Sequence, residues 1–193
     1  NKLKKVIKTL GDVFVPIIPA IVASGLMMGL TEAINFCVNN GFFELNTKAS
    51  WYVFLAMFSN IAYIFLPILI GFSSAKVFGG NQFLGAIIAM IMLHPNLQNA
   101  WTVASEGVLN TQPVWGGLYD IPMVGYQGHI IPIVIAVYIM SFIENKLHKI
   151  VPEILDLFVT PLVTVFVTGY ITLTVVGPVF IFIENALLTG VQQ

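Results

Sequence analysis

The sequence predicts an all-α integral membrane protein with about five transmembrane helices plus an interfacial amphipathic helix. Three observations predict it. Hydrophobic residues make up 58% of the 193 residues and charged residues only 9%, whereas a soluble domain carries about a quarter charged. The apolar residues gather into runs near the ~20 residues that a spanning helix needs. Lysines fall between these runs with a one-sided bias.

The first span is expected at Val13–Phe36, with Thr31 and Glu32 near its far end. The second runs from Trp51 to Ser73, opens on an interfacial aromatic pair and contains Ser59 and Asn60. The third starts at Phe83 and is clean only to Leu93, because His94-Pro95 interrupts it and Asn96, Gln98 and Asn99 follow. The polar stretch Thr102–Asp120 reads as a loop. A fourth span is expected over Ile121–Phe142 and a fifth over Phe158–Ile183, with Pro161, Gly169, Gly177 and Pro178 inside the latter. Between them, Ile143, Leu147, Ile150, Val151, Ile154 and Leu155 recur near helical spacing among charged residues, which predicts an interfacial amphipathic helix broken by Pro152.

Charge orients the chain. With a cytoplasmic N-terminus, Lys2, Lys4, Lys5, Lys8, Lys76, Lys146 and Lys149 fall inside and only Lys48 outside, while the loop carrying Glu106 and Asp120 lies outside. The net charge of -1 gives no basic patch for nucleic acid. All eight basic residues are lysines, so the planar arginine fork for phosphate is absent. One cysteine, Cys37, permits no intrachain disulfide. The lysine-rich start leads into an apolar run too long for a signal peptide and without a small-residue cleavage site. The charge pattern fits one membrane domain.

A path for a polar solute needs hydrogen-bonding groups at depth, and non-helical backbone there must face protein or water. Two segments meet this description. At His94-Pro95-Asn96 proline removes an N–H and frees a carbonyl upstream. At Gly125-Tyr126-Gln127-Gly128-His129 two glycines permit a sharp turn, and the three side chains offer stacking and hydrogen bonds. The candidate substrate-binding or gating residues are therefore His94, Asn99, Tyr126, Gln127 and His129. Bland readings stand beside these: His94 as a satisfied interfacial group, and Gly125–His129 as a kinked helix entry. Ser59, Asn60, Thr164, Thr168, Thr172 and Thr174 read as interhelical hydrogen-bonding groups, and Glu32 and Glu184 as hydrated residues near the outer ends. Lys146, His148 and Lys149 read as a topology anchor against anionic lipid. The three histidines are too scattered for a zinc site, and no catalytic serine, phosphate loop or cofactor motif is found.

The stretch Phe14-Val15-Pro16-Ile17-Ile18-Pro19-Ala20-Ile21-Val22-Ala23-Ser24-Gly25 resembles the opening of enzyme IIC of the phosphoenolpyruvate-dependent sugar phosphotransferase system. Further matching segments follow in order: Phe65–Ser73, Phe78-Gly79-Gly80-Asn81, His94-Pro95, Val124–Gly128, Ile150-Val151-Pro152, Asp156-Leu157 and Thr160-Pro161-Leu162. Each is weak alone, and the ordered set is strong. Asn96–Thr102 and Gly125–Gly128 point within the glucose–sucrose superfamily to the sucrose and trehalose type.

The resemblance implies a multi-pass permease of the bacterial plasma (inner) membrane with about ten helices in two halves, forming a homodimer. Residues 1–193 resemble the N-terminal, scaffold half. The second half of IIC, with its glutamate motif for sugar, and the IIB domain, with its phosphorylated cysteine, are not matched; Cys37-Val38-Asn39-Asn40 is not that nucleophile. The implied activity is import of a disaccharide with concomitant phosphorylation, as part of a protein-phosphocysteine–sugar phosphotransferase complex. The implied partners are the disaccharide, the IIB domain, IIA upstream and membrane lipid. Two other readings compete. An ion-coupled secondary transporter lacks the expected mid-membrane carboxylates. A membrane scaffold without solute has no need of the glycine, proline and glutamine breaks.

Overall fold

A computed structural model describes the backbone of residues 2–191 and the side chains up to Ala186. The chain divides into two compact units, Asn1–Leu66 and Pro67–Gln193.

The first unit begins with α1 (Lys2–Phe14), a 3-10 turn at Val15–Ile17, and α2 (Ile18–Asn39). These merge into one apolar helical stretch, Lys2–Asn39. The lysine-rich start is thus helical and amphipathic, because Leu3, Val6, Ile7 and Leu10 recur at helical spacing against Lys4, Lys5 and Lys8. Pro16 and Pro19 occupy first-turn positions of the 3-10 turn and of α2, where a missing N–H costs little. Helix α3 (Ser50–Ile64) packs on α2. The buried Ser24 hydroxyl donates to the Ser59 carbonyl, and the Tyr52 hydroxyl donates to Asn35 Oδ1. A Cβ on Gly25 would stand 3.0 Å from the Tyr63 hydroxyl, so Ser24 and Gly25 serve this close helix pair.

The second expected span, Trp51–Ser73, is two helices rather than one: α3 stops at Ile64 and α4 (Leu66–Phe78) follows. Pro67 lacks an N–H and its ring opposes the carbonyl four residues earlier, which breaks the ladder here. Within the second unit, α4 meets α5 (Gln82–Met92) at closest approach where Gly71 faces Gly85; a Cβ on either would overlap the other's backbone carbonyl oxygen. Asn81 caps α5, its Oδ1 accepting from Phe83 N at 2.9 Å and Leu84 N at 3.2 Å.

Beyond α5 the expected loop contains structure. A short helix α6 (Val103–Glu106) precedes an antiparallel hairpin of β1 (Thr111–Val114) and β2 (Tyr119–Pro122), in register Thr111↔Pro122 and Val114↔Tyr119. The all-α expectation is corrected to this extent. Trp115, Gly116 and Gly117 turn the hairpin with φ of 53°, 72° and 87°. The fourth expected span is also shorter than Ile121–Phe142 implied: β2 and irregular backbone occupy nearly its first half, and α7 runs from Ile131 to Leu147. No separate amphipathic helix occupies 143–157. Its first residues end α7 and its last ones begin α8 (Glu153–Ile171), because Pro152 sits at the N-cap and stops a continuous helix. A π-helical segment (Thr172–Val176) then leads into α9 (Gly177–Val191).

The core of this unit joins Ile70 of α4, Ile88 and Met92 of α5, and Ile133, Val137 and Met140 of α7, all fully buried. Thr160, Thr164, Thr168 and Thr172 recur every fourth residue and are buried on one face. The expected interhelical hydrogen bonds of Thr164, Thr168 and Thr172 are not formed: their hydroxyls have no partner among the described residues. Thr174 bonds within its own helix, to the Tyr170 carbonyl at 2.6 Å, and Ser59 does likewise, to Ala56 at 2.8 Å.

Among the described residues, two helical stretches, Lys2–Asn39 and Glu153–Ala186, are long and apolar enough to cross a membrane, and the number rises to three if α3 and α4 act as one span. α5 is apolar but shorter.

Candidate functional site

The site lies in the second unit, where α5 ends and the chain to α7 folds back on it. α5 must stop near Met92 because Pro95 cannot continue the ladder. The next residues form a turn in which Leu97 N donates to the His94 carbonyl at 2.8 Å and His94 Nδ1 accepts from Asn96 N at 3.1 Å. Gln98 then pairs in parallel with Val124: Gln98 N donates to Met123 O and Gly125 N to Gln98 O, each at 2.7 Å. Tyr126 N donates to the Met92 carbonyl at 2.9 Å, filling a helix-end acceptor that α5 leaves open. Two non-helical segments thus satisfy each other's backbone, as such segments must away from water.

Gln127 locks the pair. Its Oε1 accepts from Ala100 N at 2.9 Å. Its amide also fills the space beside Gly125, where a Cβ would come within 2.6 Å of Oε1. Gly128 turns the chain with φ 78°. Asn99 starts the following 3-10 turn, its Oδ1 accepting from Trp101 N at 2.9 Å. Gln98 holds the outer loop with both ends of its amide, donating to Gly107 O at 2.7 Å and accepting from Leu109 N at 3.0 Å.

The five expected residues therefore divide. Asn99, Tyr126, Gln127 and His129 come together around the joined segments, and His94 sits at the head of the same turn. Their exposures differ. His94 and Asn99 are exposed, Gln127 and His129 are partly buried, and Tyr126 is 3% exposed. The Tyr126 ring stands edge-on to His129 at 6.0 Å, and its hydroxyl occupies the space that a Cβ on Gly177 would need. Gly177 thus admits Tyr126 to the start of α9.

Four participants escaped the sequence reading. Glu184, expected to be merely hydrated, pairs with His129: Nε2 lies 3.1 Å from Oε2, while His129 Nδ1 lies 3.1 Å from the Gln127 carbonyl. Trp101 is an exposed aromatic beside Gly128. Tyr119 of β2 donates its hydroxyl to the Thr174 carbonyl in the π-helical segment at 2.5 Å, and Trp115 meets Tyr170 edge-on at 5.1 Å, so the hairpin is tied to the helix beneath it. Of these, only the tryptophan next to the Asn96–Asn99 polar run carried any signal in the sequence, and nothing in the linear sequence pairs 129 with 184.

A second polar cluster lies at the C-terminal end of α7. Glu144 is 6% exposed and accepts from Asn81 N at 2.8 Å. His148 Nδ1 lies 2.6 Å from Asp156 Oδ2, its Nε2 lies 3.6 Å from Glu144 Oε1, and Thr160 donates to Asp156 Oδ1 at 2.5 Å. The hydrogen bond and negative charge of Asp156 raise the His148 pKa above its ordinary value, with Glu144 adding to the effect. The cluster ties the α4–α5 loop, α7 and α8 together. No grouping of three side chains suited to a metal ion occurs among the described residues. Cys37 is half-buried in α2, away from both clusters in sequence and followed by Val38 and Asn39.

The chain matches the family model "Phosphotransferase system, EIIC" over residues 11–193. It is 48% identical over 178 residues to the PTS system sucrose-specific EIIBC component of Bacillus subtilis (strain 168), covering 92% of this chain and 37% of that protein. The Klebsiella pneumoniae sucrose-specific EIIBC component is 42% identical over the same shares. The Bacillus subtilis (strain 168) trehalose-specific EIIBC component is 37% identical over 202 residues, covering 99% of this chain and 42% of that protein. The chain thus spans less than half the length of these curated relatives. No solved structure matches it significantly. An apolar helical chain with paired non-helical segments, matched from residue 11 to its last residue by one family model, belongs to the EIIC family of the phosphotransferase system.

Proposed function

We propose that the chain is the N-terminal scaffold half of a IIC permease that imports a disaccharide of sucrose or trehalose type and presents it for phosphorylation. The observation that carries this reading is the match to sucrose- and trehalose-specific EIIBC components over nearly the whole chain. The geometry supports it. The joined segments at 92–100 and 123–129 display His94 and Asn99 at the surface, with the exposed Trp101 next to Asn99. Hydroxyls of a sugar would meet the polar groups and its C–H face the indole. Gln127 and Tyr126 brace these segments, and His129 with Glu184 links them to α9.

On this reading the phosphoryl donor is a phosphocysteine of a IIB domain, itself charged by IIA, and Cys37 takes no part. The protein spans the bacterial plasma membrane about five times in this half with its N-terminus cytoplasmic, an orientation supported by the lysine bias. The working form is a homodimer. Ala20, Ala23 and Gly29 remain exposed on α2 after Ser24 and Gly25 are spent on α3, and small residues favour close helix contact.

The test uses the full-length protein reconstituted with its phosphorylated IIB domain. Sucrose, trehalose, maltose and glucose are offered in turn, and internal sugar phosphate is measured. Phosphorylation of sucrose or trehalose well above glucose supports the reading. A preference for the monosaccharide, or no product from any of the four, refutes it.

A further inference from the structure

A groove of about 490 Å³ opens beside α7, away from the joined segments at its other end. Its long wall is one face of α7. Tyr138, Phe142 and Lys146 recur at every fourth residue and are all exposed, and Lys149 follows one turn beyond. Phe78 at the end of α4 supplies the opposite wall, edge-on to Tyr138 at 5.2 Å. Lys146 Nζ rests 5.8 Å from the Phe142 ring centre. Ser141 lines the floor; it is 1% exposed, and its hydroxyl has no hydrogen-bond partner among the described residues.

Polarity is ordered along this face. Aromatic rings come first, then the cationic rim, over roughly 16 Å at 1.5 Å per residue. No carboxylate lines the groove. Glu144, two residues from Lys146, is turned inward onto Asn81 N and His148, and among the described residues neither lysine has a carboxylate within ion-pair distance, Glu153 four residues beyond Lys149 included. The two charges are thus left uncompensated by the protein, above an apolar trough. A molecule complementary to this order carries a negative head at one end and a hydrocarbon tail at the other.

We propose that the groove is a binding site for one anionic phospholipid, its phosphate between Lys146 and Lys149 and an acyl chain along Tyr138, Phe142 and Phe78. A zwitterionic lipid would bring its own cation to the rim and lose the advantage. The site is independent of which sugar the protein carries.

The experiment is native mass spectrometry of the full-length protein from nanodiscs of phosphatidylglycerol and phosphatidylcholine in equal parts. The wild type should retain at least one more phosphatidylglycerol per chain than a Lys146→Ala/Lys149→Ala variant, with apparent affinity reduced about ten-fold in the variant. Lys146→Arg/Lys149→Arg should bind as the wild type does, and Phe142→Ser should weaken binding while leaving both charges in place. Millimolar inorganic phosphate should not displace the lipid. Equal retention of the two lipids, full displacement by phosphate, or unchanged retention in the alanine variant would overturn the proposal. So would unchanged retention accompanied by lost association with the IIB domain, which would make the lysines a protein contact instead.

Discussion

Replacing Gln127 by leucine removes the one side-chain acceptor that holds the 92–100 segment against 123–129. The shape changes little, since leucine fills a volume close to that of glutamine. The chemistry changes: Ala100 N–H loses its partner at 2.9 Å. A half-buried donor left unpaired costs about 1–3 kcal/mol, which is about 5- to 150-fold in the population of the joined state at 1.4 kcal/mol per decade. The expected outcome is a fall in transport rate of at least about five-fold. Sugar affinity should change little, because the amide oxygen is occupied by Ala100 N–H. Gln127→Glu separates the roles, since a carboxylate keeps the acceptor for Ala100 N–H and lacks the amide donors. It should restore much of the rate if bracing is the function. The assay is initial uptake of radiolabelled disaccharide at several concentrations, with expression matched by immunoblot. Normal rate and affinity in Gln127→Leu refute the bracing argument. A large loss of affinity with rate preserved, repeated in Gln127→Glu, would place the amide on the sugar instead.

Other expectations follow from the packing and the charges. Gly71→Val should lower the melting temperature of the detergent-solubilised protein, because its side chain has to enter the backbone contact with Gly85; overpacking of this kind costs about 1–3 kcal/mol. His148 contributes to stability through a raised pKa, so its contribution is complete below its ordinary value of 6.5 and is lost as pH rises through the raised one. A melting series from pH 5 to pH 9 should show that loss in the wild type. Asp156→Asn should flatten it and lower the His148 pKa in NMR titration; an unchanged titration would remove Asp156 as the cause. Cysteines at Lys76 and Lys149 should react only with reagent on the cytoplasmic side, and a cysteine at Glu106 only with reagent outside. The reverse pattern would invert the topology.

What the sequence disclosed depended on which rule was local. Proline and glycine act over a few residues, so the end of α5 before Pro95 and the non-helical Gly125–His129 segment were legible. The same rule fails at Pro67, whose break lies within an unbroken apolar run; at Pro152 the break is legible, but the apparent amphipathic period belongs to two helix ends and not to a helix of its own. The hairpin was hidden because its four-residue strands have no alternating pattern long enough to register; its strongest signal was the Gly116-Gly117 turn. In the candidate site, residue types were legible and partners were not. Gln127 could be chosen for its chemistry, but its contact with Ala100, 27 residues away, and the pairing of His129 with Glu184, 55 residues away, come from the fold. The burial of Glu144 is not legible in the sequence, because at the end of α7 it depends on a loop from elsewhere in the chain.

The central claim is that this chain belongs to a permease whose import is driven by phosphoryl transfer. The most direct measurement is disaccharide uptake by inverted and right-side-out vesicles carrying the full-length protein. Each is tested with phosphoenolpyruvate and the general phosphotransferase proteins, and separately with an imposed proton or sodium gradient. The account predicts accumulation of sugar phosphate only when phosphoenolpyruvate and those proteins are present on the cytoplasmic side, with no response to either gradient. Accumulation of unmodified sugar under a gradient, without phosphoenolpyruvate, would contradict it.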